Sequence, residues 1–204
     1  MPEIDHVISS IETTEAYLKA NGIDFKTVRH PVTATNAEMH GTIKYDGEHA
    51  GAALAKQLFL HDQKNKANLW LVCAEVDQAV DLKALSKHVG AGNLRAADAD
   101  PLYKLLGCRK GMVNYFSIVN DIEKKVKVIY DKRLYEAKWQ SFHPMDNSAS
   151  ACINVDGVNK IKELAGRDDS NFEILDFVEL AGGAAAGQGA KKEPEKKKKK
   201  QAGE

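Results

Sequence analysis

The stretch GAALAKQLFLHDQKNKANLWLVCAEV, residues 51–76, contains two apolar runs separated by a polar segment. The runs, 52–60 and 68–76, have the length of strands, and the intervening HDQKNKA has the composition of a turn. We therefore predict two neighbouring strands joined as a hairpin. Side chains alternate between the two faces of a strand, so Lys56 lies on a face otherwise occupied by leucines.

A lysine among leucines has two readings. Charged side chains are rarely buried unpaired, because removing an ammonium group from water costs several kcal/mol. Lys56 is either a cation on an edge strand, which prevents strand-to-strand aggregation, or a side chain whose stem reaches water. Alternatively, it lies at the mouth of a pocket and binds an anion or an ester. The pattern alone leaves both readings open.

The rest of the chain predicts one α+β domain over residues 1–180. Its sheet is expected to be mixed and largely antiparallel, because short turns join several strands, and to be flanked by helices. A capping box at Ser9-Ser10-Ile11-Glu12 predicts a helix that ends at Asn21-Gly22, and capping residues and glycine stops predict further helices at 35–41, 81–89, 99–106 and 156–166. Further strands are expected at 24–30, 115–121, 124–131 and 172–180.

Composition limits the class of protein. The chain has 204 residues, 43% of them hydrophobic, and no apolar run approaches the roughly 20 residues of a membrane span. The N-terminal segment lacks the pattern of a secretory signal, so we expect a cytoplasmic protein without a membrane. Cys73, Cys108 and Cys152 are scattered and form no CxxC pair, which favours reduced thiols and argues against a zinc site.

The C-terminal segment, residues 181–204, differs from the body. It holds 7 lysines and 3 glutamates and no large aliphatic or aromatic side chain, so it cannot form a core and is predicted to be a disordered tail or linker. A lysine run binds polyanions without reading their sequence. An RNA-binding arm and a tether to a further domain are both compatible with this composition.

Common catalytic motifs, including GxSxG, HExxH, the P-loop and GxGxxG, do not occur in a suitable context. One candidate segment is LLGCRKGMVNYFSIVND, residues 105–121, in which a glycine loop lies between a predicted helix and a predicted strand. Gly111 would allow the backbone to approach a ligand, and free N–H groups there would suit a carbonyl or an oxyanion. The alternative is an ordinary loop glycine.

The second candidate segment is SFHPMDNSAS, residues 141–150. Pro144 restricts His143 to an extended conformation. A histidine held beside Asn147 and Ser148 could orient a water molecule or a hydroxyl group. The alternative is a surface turn.

Taken in order, these segments resemble the prolyl-tRNA editing superfamily over roughly residues 10–180. The resemblance rests on AKQLFLHDQKNKANLWLV, DLKALSKHVGAGNLRAADADPLYKLLG, the glycine loop, VKVIYDKRL and FHPMDNSAS. It is strongest to the deacylases that remove alanine from proline tRNA, whether free-standing or fused to a prolyl-tRNA synthetase. The branch specific for cysteine fits less well, because its glycine-arginine-glycine signature is missing.

The resemblance implies hydrolysis of a mischarged aminoacyl-tRNA ester without a metal or an organic cofactor. The family's catalytic positions fall on Lys56, Gly111 and His143. Substrate-binding positions are expected at Met112, Val113, Asn147 and Ser148. The family's glycine loop commonly ends in proline, and Tyr115 stands in that place here.

The implied partner is tRNA(Pro) carrying alanine, together with prolyl-tRNA synthetase or a multi-synthetase complex. An alternative function is a catalytically inactive module that binds tRNA or associates with a synthetase, and Tyr115 is the feature that favours it. A cysteine-dependent hydrolase is a weaker alternative, because no histidine stands at a suggestive spacing from the cysteines.

Overall fold

A computed structural model describes residues 4–182. This part of the chain forms eight strands and seven α-helices. The strands are β1 (Phe25–Arg29), β2 (Ala53–Asp62), β3 (Leu69–Glu75), β4 (Leu94–Ala96), β5 (Val126–Asp131), β6 (Gln140–Phe142), β7 (Ala149–Ile153) and β8 (Phe172–Leu175). The helices are α1 (Ile11–Ala20), α2 (Asn36–Thr42), α3 (Leu82–His88), α4 (Ala99–Leu106), α5 (Lys132–Tyr135), α6 (Val155–Leu164) and α7 (Phe177–Leu180). Two 3-10 helices cover Gly47–His49 and Phe116–Asn120.

The strands form one mixed sheet in the order β1-β7-β6-β2-β3-β5-β8, with β4 paired to β2. Four of the described pairings are antiparallel, namely β1–β7, β2–β3, β2–β4 and β6–β7. The pairings β2–β6, β3–β5 and β5–β8 are parallel. The predicted single α+β domain with a mixed sheet and flanking helices is confirmed.

The β2–β3 hairpin lies at the centre of this sheet. It has the predicted antiparallel pairing, with Lys56 opposite Ala74 and Leu60 opposite Trp70. The other side of β2 is occupied by β6 and β4. β2 is therefore an internal strand of the sheet, and the pairings on this side involve Ala53–Leu54 and Leu60–Asp62 rather than Lys56 itself.

Apolar side chains cover both faces of the sheet. On the first face, one cluster contains Phe59 of the sheet together with Leu18 of α1, Leu106 of α4 and Ile161 of α6. The second face carries two separate clusters. One contains Leu60, Trp70, Leu85 and Phe177 beneath α3 and α7. The other contains Ile43, Leu54 and Val76, against which Met39 of α2 packs.

The prediction of a strand at 115–121 is wrong. Phe116–Asn120 form a buried 3-10 helix. Asn114 starts this turn, because its Oδ1 accepts from Ser117 N at 3.1 Å and its carbonyl accepts from Ser117 Oγ at 2.6 Å. Side-chain bonds to the backbone compete with ladder pairing, so an apolar run that reads as a strand folds locally into a helical turn.

The connection after this turn is held by an ion pair with no solvent exposure. Arg167 Nη2 lies 2.7 Å from Asp121 Oδ2. Arg167 Nη1 also donates to the carbonyl of Val126 at 2.8 Å, at the start of β5. The pair therefore links the end of α6 to the entry of a central strand.

The predicted tail lies outside the described residues except for Ala181 and Gly182. Within residues 4–182, none of the helices has both the length and the apolar character that crossing a bilayer requires.

Candidate active site

Lys56 occupies the gap between the two apolar clusters on the second face of the sheet. Its two neighbours on that face of β2 belong to different clusters. Leu54 is part of the cluster beneath α2, and Leu58 packs against the edge of the cluster beneath α3 and α7. The side chain is partly buried in this gap. The lysine thus stands among leucines where one apolar cluster ends and the next begins.

The ammonium group of Lys56 donates to the carbonyl of Val76 at 3.0 Å. Asn36 Nδ2 donates to the same carbonyl at 2.9 Å. Partial burial lowers the pKa of Lys56, and the carboxylates of Asp77 and Asp131 act in the opposite direction. The group is thus positioned by a neutral acceptor, and it makes no salt bridge within the described residues.

The glycine loop follows α4 and carries Gly111 at its exposed tip. Gly111 has φ +81°, which L side chains rarely adopt, and a Cβ there would meet no atom within 4 Å. Met112 N donates to the carbonyl of Arg109 at 3.0 Å. In the described part of the chain, the amides of Gly111 and Val113 have no acceptor, so they are available to a carbonyl or an oxyanion.

The base of this loop is fixed by buried side chains. Asn114 Nδ2 donates to the carbonyl of Met112 at 3.0 Å and lies 3.2 Å from Met145 Sδ. Tyr115 has no solvent exposure, and its hydroxyl group donates to the carbonyl of Val158 at 2.9 Å. The tyrosine that replaces the family's proline is therefore a core residue, and the loop tip is open to solvent.

His143 is the first residue after β6 and is 9% exposed. Its Nδ1 lies 3.1 Å from the carbonyl of Ala149 and 3.2 Å from Ser150 Oγ. Burial lowers the pKa of His143, and nearby His30 adds to this, whereas the bond to Ala149 and the Asp146 carboxylate oppose it. The ring is a buried, positioned group rather than part of a surface turn.

Asn147 and Ser148 hold the turn that carries His143. Asn147 Nδ2 donates to the carbonyl of Thr33 at 2.7 Å, and its Oδ1 accepts from Thr33 Oγ1 at 3.1 Å. Ser148 Oγ donates to Asp146 Oδ1 at 2.6 Å. Both side chains already have protein partners, which favours a supporting role for them.

The structure brings the glycine loop against the turn that carries His143. In the described residues β2 pairs with β6 only at Ala53–Gln140 and Leu54–Ser141, so this register ends before Lys56 and His143. The glycine loop contacts the His143 turn through Met145, beside an open cleft of about 960 Å³ lined partly by Met112 and Ser148. No hydrogen bond within residues 4–182 joins Lys56 to Gly111 or His143.

The cysteines are poor nucleophiles. Cys73, Cys108 and Cys152 are all buried free thiols. Burial raises the pKa of Cys73 far above its usual range, and that of both Cys108 and Cys152 to about 11. A thiol that stays protonated at neutral pH attacks slowly, so the cysteine-hydrolase alternative loses its support.

Residues 30–161 match the family model of the aminoacyl-tRNA editing domain. The chain belongs to this family. It is 34% identical over 152 residues to the prolyl-tRNA editing protein ProX of Acetoanaerobium sticklandii, covering 74% of this chain and 90% of that protein. It is 33% identical over 158 residues to the mouse prolyl-tRNA synthetase associated domain-containing protein 1, and the match covers 76% of this chain and 90% of that protein. The crystal structure of a proposed trans-editing enzyme for prolyl tRNA synthetase superposes with a TM-score of 0.56 at 17% identity, covering 81% of this chain and 96% of that chain. This last likeness concerns the fold.

The editing-domain match begins at His30, a residue that sequence reasoning did not single out. His30 is buried and lies 2.9 Å from Ser150 Oγ through its Nε2. One signal was present in the sequence, since the dipeptide His-Pro occurs at both 30–31 and 143–144. Ser150 had no signal of its own.

Proposed function

We propose that this editing-domain protein is a trans-editing hydrolase that removes alanine from mischarged tRNA(Pro). The observation that supports the proposal is the contact of the glycine loop, whose Gly111 and Val113 amides have no acceptor in the described residues, with the turn that holds His143. The match to the editing domain and the identity to a prolyl-tRNA editing protein support the same reaction class.

The aminoacyl ester is an activated bond, so its hydrolysis requires a placed water and a stabilised oxyanion. Water adds to the ester carbonyl, the C–O bond to the terminal ribose breaks, and the ribose oxygen takes the proton that the water loses. Alanine and a free tRNA 3′ end result. The proposed reaction consumes only water and uses neither a metal nor an organic cofactor.

Each candidate residue has a distinct role in this proposal. Lys56 binds the terminal phosphate or polarises the substrate, since a lysine is normally a cation rather than a base. The free amides at Gly111 and Val113 bind the carbonyl oxygen, with Met112 at the edge of the substrate. His143 Nε2 accepts a hydrogen bond from the attacking water or from a ribose hydroxyl group.

Selection of alanine over proline is a matter of size. A small apolar pocket excludes a larger side chain sterically, whereas a site built for proline cannot strongly reject a smaller residue. A separate editing pocket therefore corrects an error that a prolyl-tRNA synthetase makes. We accordingly propose that the protein binds tRNA(Pro) and works with prolyl-tRNA synthetase or a multi-synthetase complex. We place this activity in the cytoplasm.

The inactive-module alternative was favoured by Tyr115. Since Tyr115 is enclosed in the core and bonded to Val158, its presence does not close the exposed tip at Gly111. This observation favours an active loop over an inactive one.

The test is single-turnover deacylation of Ala-tRNA(Pro), Pro-tRNA(Pro) and Ala-tRNA(Ala) by the full chain. We expect Ala-tRNA(Pro) to be hydrolysed far faster than the other two. Equal rates for the alanyl and prolyl esters of tRNA(Pro) would exclude selection by size. An absence of hydrolysis with retained tRNA binding would favour the inactive module.

A further inference from the structure

A chain of hydrogen bonds extends from His143 to the end of β1. Ser150 Oγ lies 3.2 Å from His143 Nδ1 and 2.9 Å from His30 Nε2. All three side chains are buried, with 9%, 1% and 8% exposure for His143, Ser150 and His30. Water therefore has little access to these hydrogen bonds, and each group must use the partner that the protein provides.

Backbone carbonyls favour a proton on one particular nitrogen of each ring. His143 Nδ1 lies 3.1 Å from the carbonyl of Ala149, and His30 Nδ1 lies 2.8 Å from the carbonyl of Pro31. A carbonyl oxygen only accepts hydrogen bonds. Both Nδ1 atoms therefore donate, and in each neutral ring Nε2 is the acceptor.

The tautomer of His30 then fixes the direction of the serine. Since His30 Nε2 accepts, the hydroxyl proton of Ser150 points to His30. The lone pairs of Ser150 Oγ are left to accept from the Nδ1–H of His143. His143 Nε2 has no partner in the described residues and is not among the enclosed atoms that lack one, so it reaches solvent.

We propose that His30 and Ser150 are positioning residues that hold His143 as the Nδ1–H tautomer, with Nε2 presented unprotonated to the substrate side. Their effect on rate rests on the proposed deacylation, whereas the tautomer is a property of the free protein. Burial lowers the pKa of His143, which is consistent with a neutral ring near pH 7.

Loss of His30 is expected to free the Ser150 hydroxyl group. In His30→Phe, the Ser150 hydroxyl no longer has its acceptor and can rotate to donate to His143 Nδ1. That bond competes with the Nδ1–H bond to Ala149 and shifts the ring toward the opposite tautomer, in which Nε2 carries the proton and cannot accept from water. In His30→Gln, the side-chain carbonyl can accept from Ser150 and preserve the wild-type arrangement.

The test uses the full chain labelled with ¹⁵N-histidine, with two-bond ¹H–¹⁵N correlation spectra recorded near neutral pH. We expect His143 to be the Nδ1–H tautomer in wild type and in His30→Gln, and to shift toward the Nε2–H tautomer in His30→Phe. The matched control is Ser141→Ala. This variant also removes a buried serine hydroxyl group, but one that lies in β6 and is hydrogen-bonded to Tyr45. The His143 signals should therefore not change.

Deacylation of Ala-tRNA(Pro) by the same proteins supplies the second measurement. In His30→Phe we expect kcat to fall about tenfold with KM unchanged, because the transition state loses one acceptor. His30→Gln should recover most of the rate.

A wild-type His143 protonated on Nε2 would overturn the proposal, and this holds even if His30→Phe does not fold. An unchanged tautomer in folded His30→Phe would overturn it as well. Wild type that shows the expected tautomer but hydrolyses no ester would instead overturn the proposed function alone.

Discussion

Replacement of Lys56 by alanine separates a binding role from a structural one. The side chain is partly buried in the gap between two apolar clusters, and Nζ donates to Val76 at 3.0 Å. Losing one preorganised charge contact in a dry site costs about 2.7–4 kcal/mol of transition-state stabilisation, or roughly 100- to 1000-fold in rate. Because Lys56 is only partly buried and solvent screens its charge, we expect the lower end, about 100-fold.

The same replacement should barely affect the melting temperature. The carbonyl of Val76 keeps its second donor, Asn36 Nδ2 at 2.9 Å, and a partly desolvated cation is removed. Lys56→Arg should not restore the rate fully, since a planar guanidinium cannot occupy the position of a compact ammonium. The matched control is Lys127→Ala, which removes an exposed lysine from β5, the strand on the far side of β3.

The assay is single-turnover deacylation of Ala-tRNA(Pro), with melting curves on the same samples. We expect wild type and Lys127→Ala to be equally active. A folded Lys56→Ala protein whose rate lies within about threefold of wild type would refute the reasoning, and Lys56 would then be a cation whose stem merely reaches water.

Three further changes test the loop, the histidine and the buried ion pair. Gly111→Val should lower deacylation about 100-fold while the fold stays native, whereas Gly22→Val, at a similar positive φ with equally open surroundings, should destabilise without loss of rate. Burial lowers the pKa of His143 in the folded state, so on acidification the histidine is protonated first in the unfolded chain. The melting temperature of wild type should therefore fall more than that of His143→Gln between about pH 7 and pH 5. Equal falls in melting temperature would contradict the lowered pKa. Arg167→Met should lower the free energy of unfolding by about 3–5 kcal/mol, because it leaves the Asp121 carboxylate buried without its cation. In denaturant titration, the double variant Arg167→Met/Asp121→Asn should regain part of this free energy.

The amino-acid sequence determined the local elements whose signals lie within a few residues. The two apolar runs around the HDQKNKA turn predict the hairpin, and the glycine after α4 predicts the end of that helix. Both signals are local, because alternation extends over one strand and capping over one helical turn. The segment 115–121 shows the limit of such reading. Its apolar composition suits a strand, but the side chain of Asn114 supplies backbone bonds that favour a 3-10 helix.

The resemblance carried by the ordered motifs identified the family, and with it Lys56, Gly111 and His143 as candidates, before any contact was visible. It left the surroundings of these residues undetermined. That Lys56 lies on a central strand, in a gap between helices, follows from β6 and β3 flanking β2. Sheet order depends on the packing of the whole core, and no local pattern encodes it.

The pairing of His30 with Ser150 is the clearest case of what only the tertiary structure decided. The two residues are separated by 120 positions in the chain. They meet because β1 pairs with β7, and β7 with β6, which places the end of β1 beside the start of the His143 turn. The sequence supplied the hydrogen-bonding groups and their chemistry. Their distances, burial and proton positions exist only once the sheet has brought three separate strands together.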